Sequence, residues 1–221
     1  LLFQRDQPAL VIHCAALSRS TACEQDPVLA RTLNVDVTAL LSELAKDIPL
    51  LFFSSDLVFD GQQGSYDETA TPHPINVYAE TKLAAEKLVL ANPQHTVLRT
   101  SLNGGTSLTG DRGFNEEIRR AWEAGRTPRF FTDEFRCPLP AVVTAQAVWA
   151  LVSANQPGLY HLAGSERLSR WQIGQLLAAR WRPLHCFYAA LLFGGACRFI
   201  PAWSPAHSAI TRDRNGPRIP R

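Results

Sequence analysis

What most constrains this chain is the repeated alternation of short, uniformly apolar runs with helix signals of ordinary length. Residues 9–13 (Ala-Leu-Val-Ile-His) and 50–53 (Leu-Leu-Phe-Phe) carry no polar face, as expected of strands covered on both sides in a parallel sheet. Between them, Asp26-Pro27 reads as an N-cap followed by proline at the first helical position. Leu29, Leu33, Val37, Leu40, Leu41 and Leu44 then supply an apolar stripe at helical spacing, which is expected to face the core. Pro49 closes this unit. A polar loop over residues 60–76 leads to a predicted helix over 77–91 and a strand at 96–99. A glycine-rich loop over 101–113 follows, then helices near 114–124 and 144–154, a strand at 158–162, and a helix capped by Ser169 that runs to about residue 180. Strands separated by helices of this length imply βαβ units and a right-handed, doubly wound parallel sheet.

Composition narrows the class. Of 221 residues, 46% are hydrophobic and 19% charged, enough for one compact domain or for part of a larger α/β enzyme, and too apolar for disorder. The net charge of +2 hides an asymmetry: residues 181–221 hold six Arg against one acid, Asp213, which leaves residues 1–180 at −3. The body therefore gives no reason to expect a nucleic-acid partner. The tail has five Pro, no Lys and no Glu, and lacks helix or strand periodicity after Ile200. A flexible basic tail, a shifted reading frame from near Trp181 and an arm for nucleic acid or an acidic surface all stay open, and the segment is assigned no chemistry. Five cysteines without CxxC spacing point to reduced thiols and a cytoplasmic location rather than to disulfides or zinc. The longest apolar run, residues 186–197, has 12 residues, where a membrane span needs about 20, so no membrane partner is expected.

Two motifs carry chemistry. In Tyr78-Ala-Glu-Thr-Lys82 the i,i+4 spacing puts phenol and ammonium on one helix face, and a nearby ammonium lowers the phenol pKa from about 10 towards working pH. Such a phenol is a competent general acid for a carbonyl being reduced. The same pair also occurs on the surface of amphipathic helices. Ser54-Ser55-Asp56 follows directly on a buried strand, at the carboxyl end where open α/β sheets bind ligands; a turn or capping serine is the alternative. No Gly-x-Ser-x-Gly elbow is present, and the histidines show no HExxH or paired ligand spacing, which argues against a hydrolase and against a catalytic metal. His13 and His161 read as hydrogen-bonded core residues.

Val11-Ile-His-Cys-Ala-Ala16, Asn34, Ser54-Ser-Asp-Leu-Val-Phe-Asp-Gly61, Pro74-Ile-Asn-Val-Tyr-Ala-Glu-Thr-Lys-Leu-Ala-Ala-Glu86 and Val97-Leu-Arg-Thr-Ser101 occur in this order. Together they resemble the extended short-chain dehydrogenase/reductase superfamily, and more narrowly its dTDP-4-dehydrorhamnose reductase branch. The resemblance implies a Rossmann-like α/β fold with a partial NAD(P)-binding domain over 1–100, a small substrate-binding part over 101–180 and the atypical tail over 181–221. It implies NADP or NAD as cofactor and a sugar nucleotide as substrate, and it allows a homodimer. Ser55, Tyr78 and Lys82 would be catalytic. Ala15, Ala16 and Asn34 would serve the cofactor together with Tyr78 and Lys82. Ser55, Asp56 and Asn103 would meet the substrate, and Arg136, within Asp133-Glu-Phe-Arg-Cys-Pro138, reads either as a bidentate contact to a nucleotide phosphate or as a solvated salt-bridge arginine.

The departures from the family are equally specific. The family opens with a strand and a GxxGxxG turn that receives the pyrophosphate, and about 50–60 residues of that kind are expected to be missing before Leu1. The loop from Asn103 to Gly113 has no GK[ST] and reads as a mobile substrate-side loop or an ordinary surface loop. Leu102 stands where the rhamnose branch usually shows an aromatic, and Leu57 replaces a common Tyr. A non-catalytic, reductase-like regulatory subunit and an epimerase or dehydratase on the same scaffold are the alternatives to a reductase.

Overall fold

The computed structural model describes residues 2–181 and 208–211. Helix α1 (Leu2–Asp6) precedes strand β1 (Val11–His13), followed by α2 (Ser20–Gln25) and α3 (Pro27–Arg31). A π-helical turn, Thr32–Asp36, joins α3 to α4 (Val37–Leu44); then come β2 (Leu50–Ser55) and a 3₁₀ turn, Asp56–Val58. Helix α5 (Val77–Leu90) leads into β3 (Thr96–Thr100). The remaining elements are β4 (Asn103–Gly104), α6 (Phe114–Glu123), β5 (Phe135–Arg136), β6 (Leu139–Pro140), α7 (Ala141–Ala154), β7 (Gly158–Gly164), β8 (Leu168–Ser169), α8 (Arg170–Trp181) and β9 (Ser208–Thr211).

The main sheet has the order β1-β2-β3-β7-β9, and its first four strands run parallel. Both faces are covered, as the uniformly apolar strands require. On one face Leu50, Phe52 and Val97 pack with Ala85 and Val89 of α5 and with Ala45. The alternate residues Leu51, Leu98 and Tyr160 are buried on the other. The caps read from sequence are present. Asp26 Oδ1 accepts from Leu29 N at 2.9 Å, and Ser169 and Gln172 exchange bonds at 3.1 and 2.7 Å, a capping box at the head of α8.

Of the apolar stripe over 29–44, Leu41 packs against the core and Val37 is half-buried, but the other four residues do not lie where expected. Leu29, Leu33, Leu40 and Leu44 are 44, 38, 59 and 42% exposed, while Ala30, Asn34, Val35, Thr38 and Ala45 are buried. Periodicity reports that a helix has two faces and not which one is covered. Small side chains let this helix lie close against its neighbours, and the extra residue of the π turn rotates the positions after it relative to those before.

The chain divides into two compact units, residues 2–101 with 143–163, and 102–142 with 164–181. Whereas the sequence reading puts 101–180 into one substrate-side part, residues 143–163 rejoin the first unit. The reason is pairing: Thr96–Thr100 takes Gly158–Leu162 as its parallel neighbour. In the second unit β4 pairs with β6 in parallel and β5 with β8 antiparallel. The 103–113 loop is tied to the start of α6 rather than left loose. The Glu116 carboxylate accepts from the backbone N–H groups of Ser107, Arg112 and Gly113 at 2.6, 3.0 and 2.8 Å, and Asn115 exchanges bonds with Gly105. Of the expected tail, residues 208–211 form a strand of the main sheet, too short to show a period in the sequence. Residues 182–207 and 212–221 lie outside the described residues. Among the described residues no helix is long and apolar enough to cross a membrane.

Candidate active site

The carboxyl ends of β1, β2 and β3 bring the sequence-selected residues of the first unit to one edge. His13 pairs with Phe52 across β1 and β2, and Ser55 with Thr100 across β2 and β3, so Ala15-Ala16, Ser55-Asp56 and Thr100-Ser101 follow one another along that edge. Ala15 is exposed and Ala16 half-buried, and neither projects a side chain beyond Cβ. Ser55 is buried at the last position of β2. Its Oγ accepts from Leu57 N at 3.2 Å and donates to Asp56 Oδ1 at 3.3 Å, a long bond that a better acceptor can replace.

Helix α5 places Tyr78 and Lys82 at its first and second turns, and its N-terminus is held from two sides. Asn76 Oδ1 accepts from Ala79 N at 2.9 Å, and Glu24, reaching from α2, accepts from Val77 N at 2.8 Å. Two of the orphan N–H groups of the first turn are thereby satisfied, and the half-buried Tyr78 sits on a fixed turn. Lys82 is 2% exposed, with its Nζ 3.9 Å from the centre of the Phe52 ring. Burial lowers its pKa to about 8 against the opposing pull of Glu86 and Cys14. His13 and Cys14 stand close enough to feel this ammonium. The His13 pKa is lowered by burial and then by Lys82, whereas burial raises Cys14 against the opposing effect of Lys82.

Asn34 is 1% exposed, and its amide is committed within the protein. Oδ1 accepts from Leu17 N at 2.8 Å, while Nδ2 donates to Leu17 O at 3.1 Å and to Thr81 Oγ1 at 3.0 Å. The side chain thereby bolts the segment after Ala16 to the helix of Tyr78 and Lys82. Thr38 Oγ1 donates to Asn34 O at 2.8 Å, so His13 Nε2, 3.0 Å from that hydroxyl, is the donor between them.

Behind this edge runs a buried ionic row that the sequence reading did not assign. Glu86 accepts from Ser54 Oγ and from Arg99, at 3.0 Å to Nε and 2.7 Å to Nη2. Arg99 Nη1 lies 3.3 Å from His161 Nε2; a guanidinium only donates, so Nε2 accepts and Nδ1 donates to Tyr66 O at 3.2 Å. Burial, and to a lesser degree Arg99, lowers the His161 pKa against Glu68, which itself accepts from His161 N at 2.8 Å. The available signal was a charge, Arg99, inside an otherwise apolar strand.

The two remaining selected residues belong to the second unit. Asn103 opens β4, and Arg136 is 8% exposed in β5 with Nη1 3.5 Å from Glu134. The same unit contains a cavity of about 600 Å³ lined by Phe114, Phe130, Phe131, Arg126, Arg129 and Arg170, among others. Neither Asn103 nor Arg136 lines it.

A family model described as the RmlD substrate binding domain matches residues 1–188. The chain is 33% identical over 172 residues to the Haloferax volcanii protein named "Probable low-salt glycan biosynthesis reductase Agl14", covering 75% of this chain and 57% of that one. It is 30% identical over 186 residues to methionine adenosyltransferase 2 subunit beta of Xenopus laevis, covering 80% and 56%. The chain thus spans little more than half the length of these relatives. The crystal structure of dTDP-4-dehydrorhamnose reductase from Bacillus anthracis in complex with NADP superposes with a TM-score of 0.75 at 23% identity, covering 81% of this chain and 64% of that one. That likeness shows a shared Rossmann-like fold.

Proposed function

The chain belongs to the RmlD substrate binding domain family, and from that premise we propose that it carries the catalytic residues of an NAD(P)-dependent reductase acting on a 4-keto sugar nucleotide. The observation that supports this best is Lys82. A lysine that only decorated a helix would extend its ammonium into water, whereas this one is 2% exposed and lies one turn after Tyr78. NADPH or NADH, when bound, supplies a hydride for C4 of the sugar. Tyr78 gives its phenolic proton to the C4 oxygen, and Ser55 donates a hydrogen bond to that oxygen as negative charge develops. The Lys82 ammonium stabilises the phenolate left on Tyr78. The small Ala15 and Ala16 leave the β1 edge open for the cofactor, and Asn34 positions that edge against α5 from beneath. The NADP-bound Bacillus anthracis neighbour supports a dinucleotide. In the second unit, the phenylalanines and arginines of the cavity offer stacking faces and guanidinium donors. Asn103 and Arg136 are proposed as further polar contacts.

Tyr78→Phe, made in the full-length protein, tests this reading. With dTDP-4-dehydrorhamnose and NADPH, kcat is expected to fall by about 10²–10⁴-fold with dinucleotide affinity retained. Retention of most of the rate would sink the proposed acid.

A second reading has its own support in the subunit-beta relatives and in the exposed apolar side chains of Val28, Leu29 and Leu40. There the chain is a binding subunit of a methionine adenosyltransferase. A pull-down with the partner catalytic chain, run beside the turnover assay, separates the two, since Tyr78→Phe leaves such binding intact.

A further inference from the structure

One turn beyond Lys82, Glu86 joins three elements on which the proposed chemistry depends. It is 1% exposed and sits on α5. Its carboxylate accepts from Ser54, the residue before Ser55 on β2, and from Arg99 on β3. Ser54, Arg99 and His161 occupy paired register positions on β2, β3 and β7, so the row crosses the sheet beneath α5. His161 in turn holds Tyr66 and Glu68 of the loop that leads to Tyr78.

Stability alone does not call for this arrangement, because a buried ion pair is commonly no better than well-packed apolar residues of similar volume. Its distinctive consequence lies at Lys82. The two side chains stand at i and i+4 on one helix, and Glu86 is the foremost of the charges that favour the ammonium in a site where burial opposes it. We propose that Glu86 is a positioning residue, which locks the Tyr78–Lys82 helix to the strand of Ser55 and supplies the counter-charge of the Lys82 ammonium. It acts through Lys82 and Ser55 and touches no reacting atom. The proposal rests on the reading that Lys82 tunes Tyr78.

The test is read on the chain without cofactor or turnover. The sequence has three lysines, and Lys46 and Lys87 are exposed, so ¹³C-lysine NMR resolves the titration of Lys82. Its midpoint is expected near 8 in the unaltered protein. Glu86→Gln should lower that midpoint by about one unit or more with Lys46 and Lys87 unmoved. Glu86→Asp, which keeps the charge, should restore part of the difference, and Ser54→Ala should leave the midpoint in place. An unmoved Lys82 midpoint in folded Glu86→Gln overturns the proposal. Should that variant fail to fold because Arg99 has lost its counter-ion, Glu86→Gln combined with Arg99→Met removes both charges, and a smaller lowering is expected of it, because the lost cation no longer opposes the ammonium; no lowering in that folded double variant overturns the proposal as well. The two ideas fail separately. Full activity in Tyr78→Phe removes the reductase chemistry without touching the Lys82 titration, and an unmoved titration removes the role of Glu86 while the Tyr78 result stands.

Discussion

Burying an ammonium costs free energy, and Lys82 carries that cost on the face α5 turns toward the sheet. Its proton leaves near pH 8 in the folded chain and near 10.5 in the unfolded one. Below about 8 both states hold the proton and stability does not change with pH on its account. Between 8 and 10.5 the unfolded state binds more protons, so stability rises with pH across that window. Lys82→Met, which removes the buried charge at similar volume, is therefore expected to stabilise the fold at pH 7 by about 1–3 kcal/mol, read from a thermal melt. The same substitution should lower kcat by about 100-fold or more. Under the proposed reductase reading the rate should decline as pH rises through about 8, since Lys82 then no longer carries the charge that would stabilise the Tyr78 phenolate. The placing of Tyr78 and Lys82 on one helix and of Ser55 at a strand end was readable in advance, because spacing and strand-end position are local properties. Glu86 and Arg99 stood in the same motifs, but nothing local says that two side chains 13 residues apart will form one ion pair.

Among the elements, the 103–113 loop reads from sequence as either a mobile substrate-side loop or an ordinary surface loop. Glycine content suggests mobility, yet α6 reaches back into the loop with Asn115 and Glu116 and satisfies its backbone. Those N–H groups hold the Glu116 pKa near 2, against 4.5 when unfolded. The stabilisation is thus complete above about pH 4.5 and is lost as pH falls towards 2. Glu116→Gln loses the charged acceptor, and amide exchange at Ser107, Arg112 and Gly113 is expected to accelerate by about tenfold or more at neutral pH. Unchanged exchange would show that the loop is held by other means. The 27–44 helix gives the opposite lesson. Its boundaries, its Asp26 cap and its period were legible, but its buried face was not, because Ala30, Thr38 and Ala45 carry little hydrophobic signal and become core only through close packing.

Among the described residues the chain passes from its first unit to its second at Ser101–Leu102 and again at Ala163–Gly164, where Gly164 is the last residue of β7. Here Gly164 N donates to Cys137 O at 3.0 Å, and an added Cβ would lie 2.0 Å from the carbonyl oxygen of Pro138. The obstacle is backbone, which cannot swing aside as a side chain can. Gly164→Ala is expected to cost about 1–3 kcal/mol or more in chemical denaturation, and an unchanged midpoint would show that the two segments can separate freely. The parallel α/β class, the order of most elements and the placing of Tyr78, Lys82 and Ser55 all followed from residue order, since period, caps and strand ends are set within a few neighbours along the chain. The return of residues 143–163 to the first sheet, the Glu24 cap on α5 and the row from Ser54 to Glu68 did not. Their partners lie 53, 62 and 93 residues apart in the cases of Glu24 with Val77, Arg99 with His161, and Glu68 with His161. Such pairs exist only once the strands have taken their register, because the register is what brings those side chains within reach of one another.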